Sequence, residues 1–347
     1  MLKFPFYARL AFTLLAVALI LLFMWMGKSL LVPLFFSFLV AILLHPVVRF
    51  FENKKFPRSL AAVLSLLMFM ILVSGIFYFF SRQIDRLTRD LPSLQAKILE
   101  KWGDIQAWIS EKYHVTNTQQ IAYMNKSATG IINTAMNSVA TTFVGIAGTL
   151  VLTIFFFIFT FFILRYRRLL MRFVVELFHE SHDFKVKGII SRIRVLINSY
   201  VVGLLIEMLV VGVIIFTSLI IIGVKYSLLI SVLAAVLNII PYIGIYFCMA
   251  IAMLITATTG TTGHVVAVGI VFIVTHFIDA NVILPHVVGG KMKMNPFVTI
   301  LVVLIGHLVW GIPGMFLFIP LTAMIRLVSE EVPDMKPWAI LLGEETE

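Results

Sequence analysis

Two carboxylates stand in sequence as apolar as a membrane interior. Glu207 lies in the apolar run 199–223 and Asp279 in the run 264–288. Of the chain's 17 acidic residues, only these two fall inside apolar runs. An ionised carboxylate at the bilayer centre costs about 3 kcal/mol or more, so such a group faces a wet interior or stays protonated. Two chemistries fit, binding a cation or carrying a proton. The alternative is a carboxyl hydrogen-bonded to a neighbouring helix for structure alone. Asp279 has His276, Asn281 and His286 close in sequence, whereas Glu207 has purely aliphatic flanks. Each acid precedes a helix-breaking motif at the same interval, 34 residues from Glu207 to Pro241 and 34 from Asp279 to Pro313.

Those motifs interrupt two apolar runs. Asn238-Ile-Ile-Pro241-Tyr-Ile-Gly244 breaks the run 227–256, and Trp310-Gly311-Ile-Pro313-Gly314 breaks the run 297–328. Each half would hold 13 or 14 residues, or about 20 Å of helix. That is short of a bilayer core of about 30 Å and suits a re-entrant hairpin, with full kinked spans as the alternative. Proline removes a backbone donor and glycine permits the turn; the freed groups must line a cavity or be buried in protein. With hairpins, Lys291 and Lys293 fall on the cytoplasmic side, as the positive-inside rule prefers. The matched interval suggests an inverted repeat of span plus hairpin, an arrangement that places transport sites near the midplane. The expected substrate or ion pathway comprises Glu207, Asn238, Pro241, Gly244, Asp279, Asn281, Pro285, Gly311, Pro313 and Gly314.

The elements that must hold these residues follow from composition. The 347 residues are 61% hydrophobic and 13% charged, against about 25% charged in a soluble domain, and mean hydropathy is +1.05. A soluble fold cannot hide that much apolar surface, and a disordered chain needs less of it. The expected class is an all-α integral membrane protein, with about six full transmembrane helices plus two Pro/Gly-broken re-entrant hairpins, or eight spans. Residues 1–80 read as an N-terminal transmembrane hairpin and third span. Residues 81–140 read as an extracytoplasmic amphipathic helical segment, 141–198 as a fourth span and basic cytoplasmic loop, 199–330 as the transport core and 331–347 as an acidic tail. In 81–140, Ile84, Leu87, Leu91, Leu94 and Ile98 recur at helical spacing, and Pro92 is expected to split the stretch into two helices. That segment could cap its own membrane domain, contact another copy, lie on the membrane surface or hold an extracellular ligand.

The net charge of +10 reads as orientation, with no nucleic acid as partner. The loop Arg49–Arg58 carries four basic residues and one acid, and 165–198 carries eight and three. Both belong in the cytoplasm, which puts both termini there as well. The first apolar run lacks a small-residue cleavage site and is followed at once by another, so it reads as a span rather than a signal peptide. The single cysteine, Cys248, excludes an intramolecular disulfide. The chain has no H-E-x-x-H, no phosphate-binding P-loop and no G-x-S-x-G. His179-Glu-Ser-His182 has the wrong spacing for a metal site. No enzymatic activity, cofactor or resident metal is expected.

The chain resembles the autoinducer-2 exporter family of bacterial inner-membrane transporters. The likeness runs over residues 8 to 330. It rests on LLHPVVRFFE (Leu43 to Glu52), NIIPYIG (Asn238 to Gly244), DANVILPHVVGG (Asp279 to Gly290) and LIGHLVWGIPGMFLFIPLTA (Leu304 to Ala323). Where members often carry Gly-Gln early in the fifth span, this chain has Gly203-Leu204. The resemblance implies a homo-oligomeric multi-pass carrier, pentameric as one plausible number, working without ATP hydrolysis and using the broken motifs as transport core. It also implies one of two activities, export of autoinducer-2 or Na⁺(Li⁺)/H⁺ antiport. The resulting expectation is a secondary transporter that exports a small polar solute such as autoinducer-2. An Na⁺(Li⁺)/H⁺ antiporter is the alternative, and a non-transporting membrane scaffold the second alternative.

Overall fold

A computed structural model describes residues 5–113, 150–177, 183–239, 243–289 and 294–344. Several expectations lie outside those residues. They concern 114–140 of the amphipathic segment, 141–149 of the fourth run, residues 178–182, Pro241, Lys291, Lys293 and the last three residues. Every long element is helical, and no strand occurs among the described residues. Helices Lys28–Asn53 (α2), Arg58–Tyr113 (α3) and Asp183–Ile222 (α5) hold apolar stretches long enough to cross a membrane. So do Thr262–Ile278 (α8) with its continuation to Val287, and Ile312–Glu331 (α10). The other long helices are Phe6–Met26 (α1), Leu150–Glu176 (α4), Ser227–Leu237 (α6), Ile243–Thr259 (α7) and Pro296–Trp310 (α9). Large apolar side chains on outward faces are bare, including Ile71 at 73% and Ile221 at 80% exposure. Such surface needs lipid as its solvent. The chain is a multi-pass membrane protein.

The chain divides into two compact units. The first is Met1–Phe69, Val151–Leu205 and Leu284–Glu347. Its core joins Leu39 of α2, Leu196, Ile197 and Tyr200 of α5, and Val302, Trp310 and Phe318 of α9 and α10. Trp310 Nε1 donates to Met24 O at 2.8 Å, and Tyr200 Oη donates to Phe316 O at 3.2 Å. The second broken motif closes as α9 and α10 packed on one another. Gly311 turns the chain at φ 67°, a left-handed conformation that glycine adopts without penalty. A Cβ on Gly306 would lie 2.3 Å from the Gly314 carbonyl oxygen, and one on Gly314 would lie 1.9 Å from that of Gly306. Backbone therefore touches backbone, as small residues permit between membrane helices.

The second unit is Met70–Leu150 and Ile206–Ile283. The first broken motif is α6 and α7, again packed together. Gly212 of α5 stands against Ala235 of α6, where a built Cβ would come within 3.2 Å of the alanine methyl. Gly223 and Tyr226, both at positive φ, reverse the chain between α5 and α6. Asp90 of α3 accepts hydrogen bonds there from Lys225 Nζ, at 2.6 Å, and from the Tyr226 hydroxyl. The same contacts raise the Lys225 pKa above its ordinary value.

Two local expectations are corrected. Pro92 does not divide the amphipathic stretch, for α3 runs unbroken through it. Pro92 is exposed, so water can take the carbonyl that its missing N–H abandons. Ser93 Oγ also donates to Asp90 O at 2.7 Å. The second half of the second broken run is longer than its apolar pattern, since α10 holds 20 residues. The helix continues into polar sequence, where Arg326 and Glu330 pair at 2.6 Å one turn apart.

The close glycine pair makes a stability prediction. Gly306→Ala or Gly314→Ala forces α9 and α10 apart and costs about 1–3 kcal/mol, read by thermal unfolding in detergent. Gly188→Ala, where an added Cβ meets nothing within 4 Å, is neutral or stabilises by up to about 1 kcal/mol.

Candidate functional site

Three helices of the second unit each carry a buried stripe that ends on a polar residue of the site. On α5, Glu207 begins the series Glu207, Val211, Ile215, Leu219, four residues apart and nearly inaccessible throughout. On α8, Val268, Phe272 and Thr275 are buried, and Asp279 follows one turn later at 5% exposure. On α6, Ile230 and Ala234 are buried, and Asn238 caps the helix one further turn on. Side chains three or four apart share a helix face, so packing each apolar stripe inward carries its polar residue in with it.

The three meet. Asn238 Nδ2 donates to Glu207 Oε1 at 2.9 Å and to Asp279 Oδ2 at 2.9 Å. An amide nitrogen has two hydrogens, and both are used. The two accepting oxygens therefore lie less than twice 2.9 Å apart. The other carboxylate oxygens, Glu207 Oε2 and Asp279 Oδ1, are buried and have no hydrogen-bond partner among the described residues. His276 stands near enough to act on Asp279 electrostatically, and its ring meets Tyr246 edge-on with centroids 5.2 Å apart.

Local backbone chemistry shapes the surroundings of the three residues. Gly244 sits at the start of α7, where a Cβ would fall 1.8 Å from Leu237 O. Only a glycine lets α7 begin that close to the end of α6, beside Asn238. At Asp279 the helix loosens into π-type turns over Asp279–Ile283 and Pro285–Gly289. Widened turns of this kind occur often at functional sites. Pro285 has no N–H to donate into the ladder, which suits the irregular stretch.

The structure thus brings together Glu207, Asn238 and Asp279, with Gly244 beside them. Asn281 is exposed and turns back on its own helix, donating to Phe277 O at 2.8 Å. Pro241 lies outside the described residues. Pro285, Gly311, Pro313 and Gly314 belong to the first unit. Asn238 as the link between the two acids, and Tyr246 as neighbour of His276, were not foreseen, because no spacing in the sequence relates them. His264 serves its helix terminus instead, closing a capping box with Thr261. Among the described residues no cluster of three His, Cys, Asp or Glu side chains could hold a metal ion.

Chemically, the amide neutralises nothing. It satisfies one oxygen of each acid and leaves two negative charges, or one proton or one cation, to be shared in a low-dielectric interior. The site is therefore suited to protons or monovalent cations.

Known proteins resemble the chain over nearly its whole length. It is 25% identical over 314 residues to the "Putative transport protein YrrI" of Bacillus subtilis, covering 87% of this chain and 86% of that one. It is 23% identical over 318 residues to transport protein YhhT of Escherichia coli K12, a name that carries the same qualifier, covering 91% and 89%. The AI-2 transport protein TqsA of the same strain is 20% identical over 331 residues, covering 92% and 90%. Residues 14–334 match the model of the AI-2E family transporters, and the chain belongs to that family.

Proposed function

We propose that this protein is a secondary transporter in which Glu207, Asn238 and Asp279 bind the coupling ion, a proton or a monovalent cation such as Na⁺ or Li⁺. One observation carries the reading. A single half-buried amide holds two buried carboxylates, each keeping one buried oxygen without a partner among the described residues. Two acids on one neutral donor can exchange a proton for a cation at the same place, which is what antiport requires. Asn238 lies at the break between α6 and α7, so movement of that break opens or closes the pair. Residues 199–330 form the transport core on this reading. The basic loops put both termini on the cytoplasmic side of the bacterial inner membrane.

A second reading has outward movement of a small polar solute as the cargo, with the same acids carrying the driving proton. The name of TqsA favours autoinducer-2 as one such cargo. A homo-oligomer fits the bare apolar faces, some of which another copy would cover. A scaffold without transport has no use for two acids in apolar helices.

Reconstituted protein tests this. In proteoliposomes holding a pH gradient, addition of Na⁺ or Li⁺ collapses the gradient. Gradient-driven efflux of autoinducer-2 without collapse supports the second reading, and neither response overturns both. Asp279→Asn and Glu207→Gln each reduce the coupled flux to that of empty liposomes while oligomer size stays unchanged. A fully active Asp279→Asn protein sinks the role given to that carboxylate. Asn238→Leu strands two buried acceptors, at about 1–3 kcal/mol for each, and lowers the melting temperature in detergent.

A further inference from the structure

We propose that Arg49, Arg167 and Arg194 form a binding site for the phosphate of an anionic phospholipid. The site lies at the membrane face occupied by the basic loops, the cytoplasmic face in the orientation proposed above. The inference concerns the first unit and stands apart from the ion site.

The three arginines come from three helices, each at the edge of an apolar run. Arg49 follows the run 30–48 on α2, Arg167 follows the run ending at 164 on α4, and Arg194 precedes the run from 199 on α5. Packing converges them. Ala41, Leu44 and Val48 of α2, Ala61 and Ala62 of α3 and Leu164 of α4 share one buried cluster. Arg165 Nε donates to Ser59 Oγ at 2.7 Å, fixing α4 to the start of α3. Leu39, Leu196 and Ile197 hold α5 to α2. As a result the ring of His45, one turn before Arg49, lies in electrostatic reach of all three guanidinium groups, and Arg194 lies in reach of the other two.

Three like charges gathered this way repel. Among the described residues the acid that acts on the same ring is Glu52, and its Oε2 is taken by Arg167. Arg49 and Arg194 are exposed and have no ion-pair partner among the described residues. The cluster therefore has charge to spare for an anion, and guanidinium forks match phosphate oxygens in geometry. A lipid is the source that fits the surroundings. On the side of the arginines toward their apolar runs stand the bare side chains Phe162 of α4 and Val195 of α5, apolar surface for acyl chains next to a surface for a headgroup. Basic pockets between transmembrane helices on the cytoplasmic side hold anionic headgroups elsewhere by the same logic.

The test uses the full chain in neutral detergent, titrated with phosphatidylglycerol or with phosphatidylcholine. Melting temperature and lipid adducts in native mass spectrometry are the readouts. Phosphatidylglycerol raises the melting temperature and stays bound, and phosphatidylcholine does neither. Arg49→Gln with Arg194→Gln weakens the apparent affinity about 25-fold, each charge near the surface being worth about a factor of five. Should the double variant not assemble, Arg49→Gln alone weakens it about fivefold. Arg49→Lys with Arg194→Lys keeps most of the affinity. Arg82→Gln with Arg86→Gln, past the apolar stretch of α3, leaves it unchanged. The proposal is overturned if the Arg49/Arg194 glutamine variants bind phosphatidylglycerol like wild type, or if the Arg82/Arg86 pair matters as much. It is also overturned if phosphatidylcholine is equally effective, or if inorganic phosphate at the same concentration reproduces the whole effect.

Discussion

Inside a membrane a polar atom without a partner has no water to fall back on, and around Glu207 and Asp279 that constraint decides what the neighbouring helices must do. Neither acid can reach its own backbone for relief, because a helix interior has no free N–H to offer. The donor has to come from elsewhere. It comes from Asn238, placed at the end of α6, where the helix stops and its side chain can reach both acids. A lysine or arginine would cancel a charge and fix the site. An amide holds the geometry and leaves the charge to be balanced by something mobile. The choice of asparagine thus separates holding the acids in place from neutralising them.

The two broken motifs solve one mechanical problem by the same means. A helix that stops within an apolar run must pack its loose end against protein, and close packing requires that no Cβ stand between the backbones. In the second unit Gly244 lets α7 begin against the Leu237 carbonyl; in the first, Gly306 and Gly314 let α9 and α10 touch. Tyr200, Trp310 and Phe318 then fill the space around the second contact with large rings. Small residues make the contact and aromatic ones brace it. The first break has no such rings in its core: Leu229, Ile230, Ala234 and Ala235 of α6 and Ile245, Cys248, Ala252 and Ile255 of α7 are buried, and none is aromatic.

What the sequence revealed and what it hid divide along physical lines. Membrane class, helical content, the two acids and both breaks were legible because each depends on a residue's own type: charge in an apolar run, proline and glycine in a helix. The meeting of Glu207 with Asp279 was not. Their equal distances from Pro241 and Pro313 suggest equivalent places in two repeats, yet both bond the same side chain from the first break. Asn281 shows the converse. Its nearness to Asp279 in sequence made it a candidate, but in a helix i and i+2 point apart, and it bonds Phe277 instead. Pro92 misled because a proline's effect depends on whether the orphaned carbonyl can be hydrated, and exposure is not written in the residue.

The stripes on α5, α6 and α8 explain why a site of this kind can be built cheaply from such a chain. Each stripe steps along its helix every three or four residues through Val, Ile, Leu, Ala or Phe, with Thr275 on α8, to Glu207, Asn238 or Asp279. The buried residues hold the helices in register, and these three polar residues then stand at a height set by that register. Shifting any one helix by a single residue turns its polar group about 100° away from the others, leaving at least one acid without its donor. The register therefore has a steep penalty for error. On the reading proposed above, an ion or proton taken up between the two carboxylates bears on Asn238, the residue that ends α6 at the break, and so links occupancy of the site to the position of that break.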